Sequence, residues 1–336
     1  MNHYQLKSCV WEITLSCCFS CRYCGSGGGK RRENELTTSE CLNVALQLSD
    51  LGCRRVSLIG GEVFMRQDWP EIVQALTSKG IATCIITNGF ILTKEHIRQL
   101  KKSDIESVAV SLDGPEAIHD RYRQQSSYRC AMETIHTLVR SHVPVSVIST
   151  LNSENILFLD EMYQALDRLG IFAWQLQACS PMGNAAKNGV DVAFDFKKVI
   201  DFVDANAPQA PFILGIADNI GYYTAAEGRI RGNLSGKAGF SGCCAGLTSI
   251  GIDSVGNVRG CESMYDAFFI EGNLRERNLR EIWEDPDSFA YNRRFKQENL
   301  TGKCKNCEMG AYCAGGCRSY NYFTHNKLYD SLRCAK

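Results

Sequence analysis

Cysteine is the feature that most constrains this chain. Eighteen of its 336 residues are cysteine, many more than packing alone requires. Dense cysteine can mean a disulfide scaffold, but such scaffolds are small and secreted. This chain is long, and its polar start, Met1–Lys7, is not followed by the apolar block of a signal peptide. In a reducing cytoplasm the alternative is metal ligation. Lysine plus arginine number 37, as do aspartate plus glutamate, so the formal charge is zero. A general nucleic-acid binder would carry a basic excess. No apolar run reaches the roughly 18 residues of a membrane helix. The expectation is a cytoplasmic protein that engages neither nucleic acid nor membrane. Its 44% apolar content is enough for a sizeable core.

The first half alternates between two patterns. Runs at Cys9–Leu15, Val56–Ile59, Ile81–Thr87, Ser107–Leu112, Val143–Thr150 and Phe172–Gln177 read as strands. Thr37 and Glu40 have the spacing of a capping box that opens a helix through Leu51. Asp68–Lys79, Thr93–Lys102, Tyr128–His142 and Asn155–Leu169 carry apolar residues three and four apart. Six strand–helix units predict an α/β fold with a parallel sheet. They fall short of a closed eight-fold barrel, so a partial (β/α)6 barrel is expected, with ligands at the C-terminal strand ends. From about Val190 the rhythm changes. Phe194–Ala205 reads as a last helix, Pro208–Pro211 as a break and Gly228–Gly242 as loop. Three segments result: a barrel over 1–190, a helical and loop linker over 191–242, and a small cysteine-rich unit over 243–336. Metal binding can supply the stability that such a small unit's core lacks.

Cys17, Cys21 and Cys24 sit in the loop after the first strand, with three and then two residues between them. Three thiolates so spaced can face one iron–sulfur cluster and leave one iron open to a substrate or cofactor. A zinc site would want a fourth cysteine or histidine close by, and Gly25–Gly29 offers none. Tyr23 places an aromatic ring where it can stack on a purine.

This Cys-x3-Cys-x2-Cys loop resembles the signature of the radical S-adenosylmethionine (SAM) superfamily. Gly60-Gly61-Glu62 resembles the family motif that holds the SAM amino group. There the glycines allow close backbone approach and Glu62 offers an anionic acceptor to an ammonium. Thr87-Asn88-Gly89 ends the third strand and makes Asn88 a candidate cofactor contact. Ser111 and Asp113 match the family's ribose-binding positions, and Arg123 is a candidate partner for the SAM carboxylate. Of Gln175 and Gln177 on the sixth strand, one is expected to face the cavity, with Gln177 preferred. His119 reads equally as a helix-cap residue or a ligand.

At the C-terminus, Cys244, Gly256, Cys261, Cys304-x2-Cys307-x5-Cys313-x3-Cys317 and Cys334 resemble the SPASM domain of one radical SAM branch. The resemblance implies two auxiliary 4Fe–4S clusters besides the SAM-binding one, three in all. Carried over by position, Cys304, Cys307, Cys313 and Cys334 hold the outer cluster. Cys261, Cys317 and Cys244 hold the inner one. Some relatives add an upstream cysteine. Here Ser180–Gly242 contains none, and Cys243 stands beside Cys244. Neighbouring side chains on an extended chain point to opposite faces, so three readings stay open. Cys243 completes the inner set, the inner cluster keeps an open iron, or Cys243 is a free thiol that donates a hydrogen atom. Glu262 follows Cys261 where sulfatase-maturing relatives carry an aspartate base. It reads as a base for the substrate proton, or as a solvated acid in a turn. Cys179 either approaches substrate or packs. Cys9, Cys41, Cys53, Cys84 and Cys130 read as core residues and Cys18 as a bystander.

The resemblance implies reductive cleavage of SAM to a 5′-deoxyadenosyl radical and hydrogen abstraction from substrate. The leading expectation is a ribosomally made precursor peptide that receives an oxidative carbon–carbon or thioether crosslink. Peptide epimerisation, with Cys243 or Cys179 as hydrogen donor, is the first alternative. A small-molecule radical SAM dehydrogenase or epimerase of sugars or alcohols is the next. Sulfatase maturation is disfavoured by Glu262 and the missing cysteine. A non-enzymatic electron-transfer or zinc protein is opposed by Gly60-Gly61-Glu62. The implied partners are a flavodoxin or ferredoxin electron donor and, because the chain begins just before the first strand, a separate leader-recognition protein.

Overall fold

The computed structural model describes residues 4–90, 92–235, 239–332 and 334–335. Its strands are β1 Ser8–Glu12, β2 Arg55–Ile59, β3 Ala82–Thr87, β4 Ser107–Ser111, β5 Val145–Leu151, β6 Ala173–Ala178, β7 Ile213–Ile216, β8 Ser249–Ile252, β9 Asn257–Arg259 and β10 Gly272–Asn273. They form one sheet in the order β10-β9-β8-β1-β2-β3-β4-β5-β6-β7. β1 to β7 pair in parallel, each with the next. Between them run α1 Thr38–Asp50, α2 Trp69–Thr77, α3 Lys94–Lys102, α4 Glu116–Tyr122, α5 Ser127–Arg140, α6 Leu159–Leu166, α7 Asn184–Lys187 and α8 Phe196–Asn206.

The local chemistry explains these elements. The Thr37–Glu40 capping box forms, and α1 buries Cys41, Val44, Ala45 and Leu48 along one stripe. Along β2, Val56 and Leu58 are fully buried toward the helices, while Ser57 and Ile59 line the interior cavity. That two-residue period sorts each strand into a helix-facing row and a cavity-facing row. Cys9, Cys41 and Cys53 are buried, as expected of core residues. Cys84 is not in the core: it faces the cavity, because it alternates with the buried Thr83 and Ile85.

The segment expected to be a linker carries structure. β7 pairs with β6 in parallel and extends the barrel wall by one strand. Residues 227–235, read as loop, form a helix, α9 Glu227–Ser235; 236–238 of the same stretch lie outside the described residues. The cysteine-rich unit also joins the sheet. β8 pairs with β1 in parallel, and β9 folds back on β8 in antiparallel fashion. Gly256, at φ +91°, makes the turn between them, a conformation that favours glycine. No described helix is long and apolar enough to cross a membrane.

Candidate active site

Leaving β1, the chain enters the loop that carries Cys17, Cys21 and Cys24. Its stem is closed by backbone bonds from Cys17 N–H to the Gly29 carbonyl (2.8 Å) and from Gly29 N–H to the Leu15 carbonyl (3.0 Å). The buried Glu35 accepts from Leu15 N–H at 2.7 Å and from the Thr14 hydroxyl at 2.9 Å. All three cysteines line one cavity of about 880 Å³, whose wall runs from the C-terminal strand ends at Gly60, Asn88 and Ser111 to the strand starts at Arg55, Ser107 and Ile213. Gly28 N–H approaches Cys24 Sγ at 3.3 Å, and Phe19 N–H approaches Cys17 Sγ at 3.4 Å. Asn88, also on the cavity wall, directs its amide toward Cys17 Sγ at 3.8 Å.

Gly60 and Gly61 line the cavity too, and no side chain fits at either. A Cβ on Gly61 would lie 2.4 Å from the carbonyl oxygens of Leu15 and Ser16, and one on Gly60 2.6 Å from that of Thr14. The close approach is thus to the end of β1, where Gly61 N–H bonds the Thr14 carbonyl at 2.8 Å. Glu62 departs from expectation. Its carboxylate is fully buried, is absent from the cavity lining, and accepts from Thr87 Oγ1 (2.8 Å), Asn88 N–H (2.8 Å) and Phe64 N–H (3.3 Å). Those bonds, two to Oε1 and one to Oε2, tie the glycine turn to β3.

Asp113 departs likewise. It is 1% exposed and sits in the wall behind the cavity. Its carboxylate receives the Tyr23 hydroxyl, Arg123 Nε and the Thr150 N–H, the last at 2.7 Å. Burial pushes the carboxyl pKa up, but the facing Arg123 and the hydrogen bonds more than offset this and leave it below its usual value. Tyr23, Ser111 and Arg123 do line the cavity. The Tyr23 ring lies under the Arg123 guanidinium at 5.6 Å, and its hydroxyl is held by Asp113. His119 is buried, and its Nδ1 accepts the Asp113 N–H at 3.1 Å, so it serves the wall. Gln175 and Gln177 both line the cavity: residues two apart on a strand share a face, which corrects the expectation that only one would. Gln177 donates to Thr150 Oγ1 at 3.0 Å.

The cysteine-rich unit also lines the cavity, through Cys261, Glu262, Ser263 and Tyr265. Gly251 of β8 makes this possible, since a Cβ there would lie 2.3 Å from Glu262 N. Glu262 is 4% exposed, and neither carboxyl oxygen has a hydrogen-bond partner. Burial pushes its pKa well above the usual range, and the nearby Glu12 adds to the effect. The solvated-turn reading therefore does not hold. A buried network that the motifs did not reveal lies beside it: Glu12, at the end of β1, receives Arg32 of the cysteine loop and the Tyr265 hydroxyl. The one available sign was a glutamate inside the apolar run Cys9–Leu15.

Cys261 and Cys317 each have Cys243 as an electrostatic neighbour, so these three thiols stand together. Cys243 is not part of the cavity wall, whereas Cys179 is. Burial pushes the Cys179 thiol up to about 12, which keeps it protonated. The Cys244 carbonyl accepts N–H bonds from Leu247, Thr248 and Ser249, placing that residue at a turn. Cys304 neighbours Cys307 and Cys334, and Cys313 neighbours Cys304 and Cys334, so the expected outer set is also gathered. All-thiol donor sets with N–H groups directed at sulfur suit iron–sulfur clusters.

Comparison with known proteins agrees with this arrangement. The Radical SAM superfamily model matches residues 11–166, and the SPASM iron–sulfur cluster-binding domain model matches residues 243–308. The chain belongs to the radical SAM superfamily and carries a SPASM domain. It is 27% identical to the AdoMet-dependent heme synthase of Nitratidesulfovibrio vulgaris, over 94% of this chain and 88% of that protein. It is also 27% identical to the Mycofactocin maturase MftC of Mycobacterium tuberculosis, over 94% of this chain and 79% of that protein. Its fold matches that of Streptococcus suis SuiB bound to S-adenosylmethionine, with a TM-score of 0.80 and 17% identity, over 99% of this chain and 78% of that one. SuiB has also been solved bound to its precursor peptide SuiA.

Proposed function

We propose that this enzyme oxidises a ribosomally made precursor peptide by radical chemistry and leaves a carbon–carbon or thioether crosslink. The observation that carries this reading is one continuous cavity whose lining includes Cys17, Cys21 and Cys24 of the N-terminal loop and Cys261 and Glu262 of the cysteine-rich unit. Clusters held by these cysteines, together with SAM, supply the 5′-deoxyadenosyl radical and the acceptor for the second electron. The chain's own residues do the rest. Gly60, Gly61, Ser111, Arg123, Asn88 and Gln177 shape the SAM pocket, with Tyr23 as its aromatic wall. Glu262, on the cavity wall next to Cys261, is the group that, once ionised, takes the substrate proton. Cys261, Cys317 and Cys244 hold the inner cluster, with Cys243 beside Cys261 and Cys317 as the candidate to complete it. Cys304, Cys307, Cys313 and Cys334 hold the outer one. The maturase MftC among the relatives supports a peptide substrate.

The heme synthases among the relatives favour a second reading, a tetrapyrrole substrate. The cavity lining speaks against it. Its arginines are Arg55 and Arg123, and each is paired with a carboxylate, Glu106 and Asp113. A macrocycle bearing several carboxylates needs free cations to receive them. The test is anaerobic co-expression with each short peptide encoded beside the gene, in heavy water, followed by mass spectrometry. A peptide lighter by two hydrogens is expected. A deuterium incorporated without oxidation would indicate epimerisation instead, with Cys179 as the donor on the cavity wall. Unchanged peptides, from an enzyme shown to cleave SAM, would move the assignment to a small molecule.

A further inference from the structure

Between β7 and α9 the chain passes between the two auxiliary cysteine groups, and Tyr222 occupies that gap. It is 3% exposed. Its hydroxyl accepts the Cys317 backbone N–H at 3.0 Å and donates to the Asp218 carbonyl at 3.0 Å. Its own carbonyl lies 3.7 Å from Cys334 Sγ. Its ring packs with Phe240 and Cys313. A Cβ on Gly316 would lie 2.7 Å from Tyr222 Cε2, so the Cys313–Cys317 turn is built to admit the ring. One side chain thus touches Cys317 of the inner group and Cys313 of the outer group, while its carbonyl faces Cys334.

Hydrogen bonds to cluster sulfurs are among the main determinants of cluster potential. A donor stabilises the more negative, reduced state and raises the potential. The N–H of a cluster-ligating cysteine is well placed to be such a donor. Here the Cys317 N–H is committed to the phenol oxygen, and the neighbouring Tyr222 carbonyl presents an acceptor to Cys334. The Cys317 sulfur keeps a backbone donor at Tyr320, and these two features withhold further ones.

We propose that Tyr222 is a potential-setting residue that holds the auxiliary cluster bound through Cys317 at low potential, by diverting that N–H away from sulfur. The inference rests on the reading of two auxiliary clusters. It concerns one-electron exchange alone, with no bond made or broken. A low potential keeps the electron taken from substrate transferable to the next acceptor. Tyr222 acts through Cys317 and Cys334 and touches no substrate.

The test is a redox titration followed by electron paramagnetic resonance on the cluster-loaded enzyme, with iron counted. Tyr222→Phe keeps the ring against Phe240 and removes the hydroxyl, both as acceptor from the Cys317 N–H and as donor to the Asp218 carbonyl. One auxiliary midpoint potential is expected to rise, with the SAM-binding cluster unchanged and iron content equal to wild type. A fluorinated tyrosine at position 222, a weaker acceptor of the same shape, is expected to give a smaller shift of the same sign, and serves where Tyr222→Phe loads poorly. Unshifted potentials in a fully loaded variant would overturn the proposal. A wild-type protein with about four irons in place of about twelve, and no auxiliary signal, would overturn the cluster reading and the tyrosine's role with it.

Discussion

Replacing Asp113 separates two accounts of the SAM pocket. The structure makes Asp113 the hub of its rear wall, where it joins Tyr23 of the cysteine loop, Arg123 after α4 and the β5 backbone at Thr150. The Arg123 and Asp113 side chains are only 11% and 1% exposed. Asp113→Asn leaves the Arg123 charge buried without its counter-charge. Breaking a buried pair from one side costs about 3–5 kcal/mol. For a chain of this size about 2 °C of melting temperature is lost per kcal/mol, so a drop of about 6–10 °C is expected. Removing both charges, as Asp113→Asn with Arg123→Gln, leaves no stranded ion and is expected to recover part of that loss. The assay is anaerobic calorimetry of the cluster-loaded enzyme at one fixed scan rate, because such proteins unfold irreversibly, alongside equilibrium dialysis of SAM. If Asp113 instead touched the ribose directly, the single variant would bind SAM poorly and melt within about 1 °C of wild type. That result, or a double variant no more stable than Asp113→Asn alone, refutes the wall-hub account.

Other outcomes follow from the same geometry. His119 is buried neutral, and burial lowers its pKa to about 4 from an unfolded value of about 6.5. The unfolded chain therefore takes up the proton first, and stability present above pH 6.5 is lost as pH falls toward 4. About 2 kcal/mol is lost by pH 5 at 1.36 kcal/mol per unit. His119→Asn should flatten the melting curve between pH 7 and 5 relative to wild type, and parallel curves would count against this. Cys243→Ala is expected to lose about four irons, as a ligand that completes the inner set; unchanged iron content would remove Cys243 from it. Glu262→Gln should slow product formation by about 100-fold or more, the usual worth of a general base, while uncoupled SAM cleavage persists. Equal loss of both would remove Glu262 from the chemistry.

What the sequence revealed depended on how local each signal was. β1 to β6 were legible because a parallel strand covered on its outer face by helices needs an apolar row along it, as Val56 and Leu58 show. β7 was not. It is four residues long, follows Pro208 and Pro211, and forms only because β6 offers a free edge at Ala173–Leu176. α9 was hidden for a related reason: Gly228 and Gly232 lower its intrinsic helicity, and its place is secured by Arg231, which donates to Glu227 at 2.6 Å. The cluster cysteines were legible because ligand spacing is written along the chain. The direction in which a carboxylate points at a strand end is not. Glu62 and Asp113 both lie where a cofactor contact belongs, yet each turns into the wall, because buried backbone N–H groups at Asn88 and Thr150 need an acceptor there.

The same reasoning explains the placement of the cavity-facing Glu262. Its oxygens are buried with no partner, although Tyr265 stands beside it with a hydroxyl to give. That hydroxyl goes to Glu12, which also receives Arg32 and the Ser254 N–H. The strand end, the cysteine loop and the SPASM domain therefore share one buried charge network, and Glu262 lies against its edge beside Glu12 and Tyr265. A carboxyl whose oxygens complete no hydrogen bond, with only the Arg259 charge and the neighbouring Tyr265 to offset its burial, is costly to bury, and that cost is a reason to regard its position as functional. A purely structural acid would have been tied down, as Glu62 and Asp113 are.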